Sequence, residues 1–332
     1  MITRREMNKA LLASSALMAA AATHVSSAGA AEKQVPEEIF KIAVMTWSFQ
    51  FKVWKGELKA TDIPGIVSDM GVDAIEWEAK TFRDLRDGRE AMFKAAPPAF
   101  FTELRKAADD AGVRNRVLSA GGPFYLASVD QAGLQQALDY YRQWVEPAQI
   151  LGSDILRVEL YCNAPAGPNR AAEAKKLSMA GLQALLDETA DTNLIINVEN
   201  HHGISSQPEW LADLVRSMDN PRIGLTADTN NFRVDQNMPY ERNFDDLPRY
   251  VDRYQGLETL MPLANWVSAK SYAFDGTGYE VSMNYPRIID IITKSGYTGY
   301  LSVEYEGEGD TVEGVRKTVE MFERLREHYT PA

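Results

Sequence analysis

The sequence has little cysteine, little histidine and a deficit of basic residues. Cys162 is the single cysteine among 332 residues, so no disulfide can form within the chain. The chain carries 47 Asp and Glu residues against 35 Lys and Arg residues, which gives a formal net charge of −12 at pH 7. An acidic surface of this kind repels nucleic acid and anionic lipid. We therefore predict neither nucleic acid nor a membrane surface as a partner of the folded protein.

A long hydrophobic run and a nucleotide-binding motif are also missing. The apolar stretch near the N-terminus, Ala10 to Ala22, is too short and too rich in alanine to be a good membrane span. A doubly wound nucleotide-binding fold needs a glycine cluster or a phosphate-binding lysine after its first strand. The chain instead reads Ser48-Phe49-Gln50-Phe51-Lys52 at that point. A nucleotide cofactor is therefore not expected.

The first thirty residues have the layout of a cleavable export signal. Arg4 and Arg5 are followed by a weakly apolar run and then by small residues. The paired arginines resemble a twin-arginine signal, and the alternative is a disordered basic start. We predict a signal over residues 1–30, a short linker over 31–40, and a bacterial periplasmic location with no membrane attachment after cleavage.

The rest of the chain, residues 41–329, alternates short β-branched runs with longer helical patterns. Eight such pairs predict a single-domain (β/α)8 TIM barrel, because each unit supplies one parallel strand and one covering helix. The predicted strands are Lys41 to Trp47, Ala74 to Glu78, Arg116 to Ser119, Ile155 to Leu160, Leu194 to Glu199, Ile223 to Asp228, Trp266 to Ser271 and Tyr300 to Glu304.

In three of the predicted strands a run of apolar residues ends in an acid. The residues are Glu199, Asp228 and Glu304. Parallel strands of a barrel end at one shared mouth, where such folds keep their catalytic groups. The three carboxylates therefore predict a convergent acidic active site. For any one of them, capping of a helix or pairing with an arginine is the competing interpretation.

The chain resembles the xylose isomerase-like TIM-barrel superfamily in the order of its strands and in three motifs. These are Glu199-Asn200-His201 on the fifth strand, Asp228 on the sixth and Glu304 on the eighth. This superfamily includes sugar isomerases, ketose 3-epimerases, inosose dehydratases and endonuclease IV. The resemblance implies that Glu199, Asp228 and Glu304 are ligands of one divalent metal ion.

Two histidines of that superfamily are replaced in this chain. Ser268 stands where relatives have the histidine of His-x-Lys-Asp on the seventh strand, and Asn231 stands three residues after the acid of the sixth. Three carboxylates without imidazole favour Mn or Mg over Zn. The alternative is a site without metal, in which the ammonium of Lys270 supplies the positive charge and acts as an electrophile.

Further residues are candidates for contact with a substrate. His201 could transfer a proton near neutral pH, although a histidine satisfied by backbone partners is the competing interpretation. An aromatic ring with acids and amides around it is typical of a carbohydrate site. Arg157 with Glu159 is either a structural ion pair or a clamp for hydroxyl groups. The predicted substrate-binding residues are Trp47, Glu76, Arg157, Glu159, His202 and Asn231.

These features predict an exported enzyme that acts on a small carbohydrate. By resemblance, Glu199 and Glu304 form an acid–base pair that moves a proton through an enediolate, which the metal ion or Lys270 stabilises. An isomerase or epimerase of a non-phosphorylated sugar or keto-sugar is the first hypothesis. A lyase that performs β-elimination on a 3-keto-glycoside or an inosose is the second. The alternative from another functional class is a sugar-binding barrel without catalytic activity. A nuclease is the weakest hypothesis. The sequence leaves open whether the chain forms a homo-oligomer.

Overall fold

A computed structural model describes residues 39–82, 94–165, 167–201, 203–232 and 251–329. The predicted signal, most of the predicted linker and His202 lie outside the described residues. No helix in these ranges is both long enough and apolar enough to cross a membrane.

Eight strands form a closed barrel in which the first strand pairs with the last, and every pair is parallel. The prediction of a TIM barrel is therefore confirmed. The strands are β1 (Lys41–Met45), β2 (Ala74–Glu78), β3 (Arg114–Ser119), β4 (Ile155–Val158), β5 (Ile195–Glu199), β6 (Ile223–Asp228), β7 (Ala264–Ser271) and β8 (Tyr300–Tyr305).

Most differences from the predicted strands lie at the strand ends. β1 stops at Met45 because a 3₁₀ turn over Thr46–Phe49 follows at once, so Trp47 belongs to the turn. β3 and β7 begin two residues earlier than expected, at Arg114 and Ala264.

Ten α-helices are described outside the barrel: α1 (Gln50–Trp54), α2 (Ile63–Ser68), α3 (Pro98–Asp110), α4 (Gln131–Arg142), α5 (Val145–Leu151), α6 (Arg170–Glu188), α7 (Pro208–Met218), α8 (Arg253–Leu260), α9 (Tyr285–Lys294) and α10 (Thr311–Tyr329). α4 and α5 are separate because Pro147 has no N–H to donate to the carbonyl of residue 143. α5 ends at Gly152, whose φ of 74° is left-handed and favours glycine.

Side chains alternate in direction along the strands, and this alternation builds the site. Val198, Ala227, Ala269 and Val303 belong to the main apolar core. Each one is next in sequence to a buried polar residue of the same strand. Successive side chains of a strand point to opposite faces, so the polar residues point into the barrel. The interior of the barrel is therefore charged near the carboxyl ends of β4 to β8.

Candidate active site

The cluster at β6, β7 and β8 has the ammonium of Lys270 at its centre. Its Nζ lies 2.6 Å from Glu304 Oε1, 3.6 Å from Asp228 Oδ2 and 3.3 Å from Glu306 Oε1. The register of the sheet brings Lys270 and Glu304 together, since these two residues are paired between β7 and β8. Ser268 donates to the other Glu304 oxygen at 2.5 Å. Both oxygens of Glu304 are therefore engaged by side chains of β7.

This arrangement fixes the charges of Lys270 and Glu304. Burial alone would lower the pKa of Lys270, but the carboxylates of Glu304, Asp228 and Glu306 raise it well above its ordinary value. Burial would raise the pKa of Glu304, but Lys270 and Arg157 bring it below its ordinary value. The two groups therefore form an ion pair at neutral pH.

Asp228 is held differently from Glu304. Its Oδ1 accepts hydrogen bonds from the backbone N–H groups of Asn230 at 2.7 Å and Asn231 at 2.9 Å. Its buried Oδ2 has no hydrogen-bond partner within the described part of the chain. Burial raises the pKa of Asp228 to about 7, although Lys270 opposes the shift. Asp228 is thus a carboxyl group that can gain or lose a proton near neutral pH.

We expect the stability of the protein to report this pKa. The ordinary pKa of an aspartate is 3.8 and that of folded Asp228 is about 7, so the folded state holds the proton more tightly between these values. Stability therefore falls as the pH rises through this window, by about 1.4 kcal/mol per pH unit. Relative to Asp228→Asn, the wild-type free energy of unfolding should drop by about 3 kcal/mol between pH 5 and pH 7.5.

Denaturant unfolding at the two pH values measures this difference. Asp213→Asn is the matched control, because Asp213 pairs with Lys175 at the surface and is 61% exposed. Parallel pH dependences for the wild type and Asp228→Asn would contradict the shifted pKa.

Arg157 organises a second cluster around β2 to β5. Its Nη1 donates to Glu199 Oε1 at 2.8 Å, and its Nη2 and Nε lie 3.4 Å from Glu78 Oε2 and Glu76 Oε1. Nε and Nη2 also donate to Ser119 Oγ, at 2.9 and 2.6 Å. Burial would lower the pKa of Arg157, but Glu199, Glu76 and Glu78 raise it. The guanidinium is therefore a fully charged centre of this cluster.

Glu199 lies between the two clusters. Arg157 engages Oε1, whereas the buried Oε2 has no hydrogen-bond partner among the described residues. Burial raises the pKa of Glu199 well above its ordinary value, and the charges of Asp228 and Glu304 add to the effect against Arg157. The environments of Glu199 and Glu304 thus push their pKa values apart, so Glu304 loses its proton at a lower pH than Glu199 does.

For Arg157 with Glu159 the sequence left open a structural ion pair or a clamp for hydroxyl groups, and in the described part of the chain the ion pairs of Arg157 are with Glu76, Glu78 and Glu199. Glu159 Oε1 instead accepts from Lys80 Nζ at 2.7 Å and lies 3.8 Å from His201 Nε2. Arg157 reaches sideways to β2, β3 and β5 because its long side chain spans the barrel interior. His201 and Glu159 are therefore near each other, with Glu159 buried and His201 partly exposed.

The predicted substrate contacts lie at different depths. Glu76 is fully buried, where its Oε2 accepts from the indole of Trp266 at 2.7 Å. It supports Arg157 and does not reach the mouth. Trp47 donates from Nε1 to Glu306 Oε1 at 3.1 Å at the rim. The buried Nδ2 of Asn231 has no hydrogen-bond partner in the chain as described, so it can serve a substrate.

Several residues at the site were not among the predicted site residues, namely Glu78, Lys80, Ser119, Tyr272 and Glu306. Glu306 could have been found, because it follows Glu304 by two positions and strand alternation points it the same way. Lys80 lies in the 3₁₀ turn over Ala79–Phe82 that follows β2, so alternation along the strand does not predict its direction. Tyr272 carries no such signal, since it lies on the loop after β7.

The donor set does not fit the predicted divalent ion. Lys270 Nζ lies between Asp228 and Glu304, and Glu199 is bound to Arg157, so each of the three predicted ligands already faces a cation. No group of three or more His, Cys, Asp or Glu side chains in the described ranges could hold a metal ion. Of the two alternatives drawn from the sequence, the contacts fit the Lys270 site.

By its topology the protein is a TIM barrel with its charged groups at the carboxyl ends of the strands. Its sequence matches the xylose isomerase-like TIM barrel family over residues 65–326, and the chain belongs to this family.

Several known proteins are similar to this chain in sequence or structure, and their names describe activity on sugars. A C-glycoside deglycosidase alpha subunit of Arthrobacter globiformis is 32% identical over 136 residues, which cover 39% of this chain and 38% of that relative. The match therefore spans well under half of the relative.

Solved structures agree in fold. A 3-keto-D-glucoside 4-epimerase of E. coli has a TM-score of 0.60 at 12% identity, covering 87% of this chain and 99% of its own. A D-allulose 3-epimerase of Methylomonas sp. has a TM-score of 0.62 at 15% identity, covering 88% and 99%. An L-ribulose 3-epimerase has a TM-score of 0.64 at 16% identity, covering 87% and 95%. At these identities the likeness concerns the fold.

Proposed function

We propose that the protein is an isomerase or epimerase of a non-phosphorylated sugar or keto-sugar, in which Lys270 supplies the positive charge at the reacting oxygen. The observation that carries this proposal is the position of Lys270 Nζ among Asp228, Glu304 and Glu306. A protonated, buried ammonium can donate to an oxygen that becomes negative in the transition state.

Proton transfer falls to Asp228 and Glu199, each of which has a raised pKa and a buried oxygen that accepts no hydrogen bond from the described residues. In its ionised form Asp228 removes the proton from the carbon next to the substrate carbonyl. The electron pair of that C–H bond forms the enediolate, whose oxygen is stabilised by Lys270. Glu199, whose pKa is raised, acts as the acid and gives a proton to a carbon of the enediolate. This replaces the predicted Glu199 and Glu304 pair, because Glu304 is held as the partner of Lys270.

The charge of the site favours a neutral substrate. Seven carboxylates lie in the two clusters and beside them, namely Glu76, Glu78, Glu159, Glu199, Asp228, Glu304 and Glu306, against the three cations Lys80, Arg157 and Lys270. Each of the three cations is paired with carboxylates. A phosphate would meet net negative charge, whereas hydroxyl groups can donate to carboxylates.

A lyase is the second candidate, and the similarity to the C-glycoside deglycosidase alpha subunit favours it. The first step is the same proton removal. The enediolate then expels a substituent from the next carbon, and the proton of Glu199 goes to the leaving oxygen or carbon in place of the substrate carbon.

Export to the periplasm is part of the proposal. It is supported by the order of basic, apolar and small residues over residues 1–30. The sequence of the mature N-terminus, determined after expression of the full chain, tests it. Cleavage near residue 30 with recovery from the periplasm is the expected result, and an intact Met1 in the cytoplasm would contradict export.

Exchange of substrate hydrogen in D₂O tests the proposed chemistry. An isomer or epimer formed from D-fructose or methyl 3-keto-β-D-glucoside should carry deuterium on a carbon next to the carbonyl, observed by NMR, whereas an elimination product has a double bond where that hydrogen was removed. Glu199→Gln should slow this exchange by about 10²-fold, the usual contribution of one general acid or base. Glu188→Gln is the matched control, since Glu188 pairs with Arg142 at the surface. Sugar binding without exchange and without an elimination product would favour the non-catalytic binding protein.

A further inference from the structure

A cavity of about 570 Å³ lies beside the cluster of Lys270. The loop after β7 forms one wall, and the loop after β8 with the start of α10 forms the other. Both loops follow the carboxyl ends of strands, so the cavity opens on the same face of the barrel as the site. Its volume is within the range of small-molecule pockets, roughly 300 to 1,000 Å³.

Two side chains belong to both the cavity and the site. Glu306 lines the cavity, and its Oε1 lies 3.3 Å from Lys270 Nζ. Its Oε2 accepts a hydrogen bond from the hydroxyl of Tyr272 at 3.2 Å, and Tyr272 also lines the cavity. A ligand that reacts at Lys270 therefore reaches the cavity by passing these two residues.

The walls of the cavity carry aromatic rings, and the backbones of its two loops lie close together. Tyr272, Phe274 and Tyr305 line it, and the rings of Phe274 and Tyr305 stack with centroids 6.5 Å apart. A Cβ on Gly307 would lie 2.0 Å from the carbonyl oxygen of Tyr272, so glycine lets the two loops approach. Aromatic faces of this kind pack against the apolar face of a sugar ring.

The charges of the cavity select against anions. Its acids are Glu306, Glu308, Asp310 and Glu313, and Lys317 is the single cation among the described lining residues. Lys317 is paired with Glu313 at 3.5 Å, and Asp310 is paired with Lys52 at 2.8 Å. Glu306 and Glu308 can accept hydrogen bonds from hydroxyl groups. A phosphate or carboxylate would therefore meet more negative than positive charge along these walls.

We propose that this cavity is a subsite for a second, neutral sugar ring, so that the substrate is a glycoside with a sugar beyond the reacting one. The inference rests on the proposed function, because the reacting sugar is placed at Lys270. Its neighbour then lies past Glu306 against the rings of Tyr272 and Phe274.

Binding measurements on the full chain test this subsite without requiring turnover. Titration calorimetry would compare methyl β-D-glucoside with methyl β-cellobioside and methyl α-maltoside. We expect at least one disaccharide to bind about 10-fold more tightly than the monosaccharide, which corresponds to about 1.4 kcal/mol. Gly309→Phe should fill the cavity and remove this preference while leaving the affinity for the monosaccharide unchanged.

At Gly309 a Cβ would approach the Tyr305 hydroxyl to 3.2 Å, so the substitution requires this hydroxyl to move by a few tenths of an ångström. Gly276→Phe is the matched control, since Gly276 is exposed, outside the cavity lining, and has open space around its Cβ position. Equal affinities in the wild type, failure of all three glycosides to bind, or a preference that survives in Gly309→Phe would overturn the subsite. Deuterium exchange on the monosaccharide keto-sugars is independent of these results and decides the proposed function separately.

Discussion

Substitution of Lys270 by Met is expected to lower kcat for hydrogen exchange by about 10³-fold, as the loss of a major donor to a developing oxyanion does in other enzymes. The ammonium lies 2.6 Å from Glu304 and 3.6 Å from Asp228, and burial excludes water that could replace it. Methionine retains most of the volume of lysine but brings neither charge nor donor. The effect should therefore appear in kcat more than in KM.

The substitution also leaves Glu304 without its counter-charge, so folding must be controlled. The double variant Lys270→Met/Glu304→Gln removes one positive and one negative charge together, and it should fold as the wild type does while remaining inactive. Lys175→Met is the matched control, because Lys175 pairs with Asp213 at the surface. Wild-type kcat in Lys270→Met would contradict the electrophilic role.

Metal analysis separates the Lys270 site from the metal site that the family resemblance implied. The contacts of Lys270 predict wild-type activity that survives a chelator and is not raised by Mn or Mg. Loss of activity with the chelator and recovery with either ion would show that the acids bind metal and that Lys270 moves aside.

The sequence was sufficient to predict the barrel and the acids at its mouth. Strand period and strand order are local properties, and β2 and β6 have the predicted bounds. Because residues two apart share a face, Glu199, Asp228 and Glu304 point inward with their neighbours. Their convergence follows from closure of the barrel.

The partners of the acids could not be read from the sequence in the same way. Lys270 reaches Glu304 because β7 and β8 pair in one register, and a shift by one residue would have pointed it out of the barrel. Arg157 has partners on three other strands, although Glu159 is nearer in sequence. The choice between a metal ion and a lysine depends on such distances across the barrel. The spacing of residues along the chain does not determine these distances.

Substitution of Arg157 by Met is expected to destabilise the protein by about 4 kcal/mol, the usual cost of removing one partner from a buried ion pair. Glu199, Glu76 and Glu78 would keep their burial and lose their shared cation. For a barrel of this size the melting temperature should fall by roughly 8 °C. Arg142→Met is the matched control: Arg142 pairs with Glu188 and Asp139 at 46% exposure, so its loss should cost no more than about 1 kcal/mol.

The pH dependence of this loss shows whether charge or packing is responsible. Without Arg157, the pKa values of Glu199 and Glu76, which burial already raises, rise further, so their folded forms bind protons more tightly than the unfolded chain does. Stability then falls as the pH rises, and the deficit of Arg157→Met should be larger at pH 8 than at pH 5. A deficit of equal size at both pH values would mean that Arg157 contributes through the packing of its aliphatic stem. In that case the guanidinium would not orient Glu199. The role of proton donor proposed for Glu199 would then need another residue to position its carboxyl group.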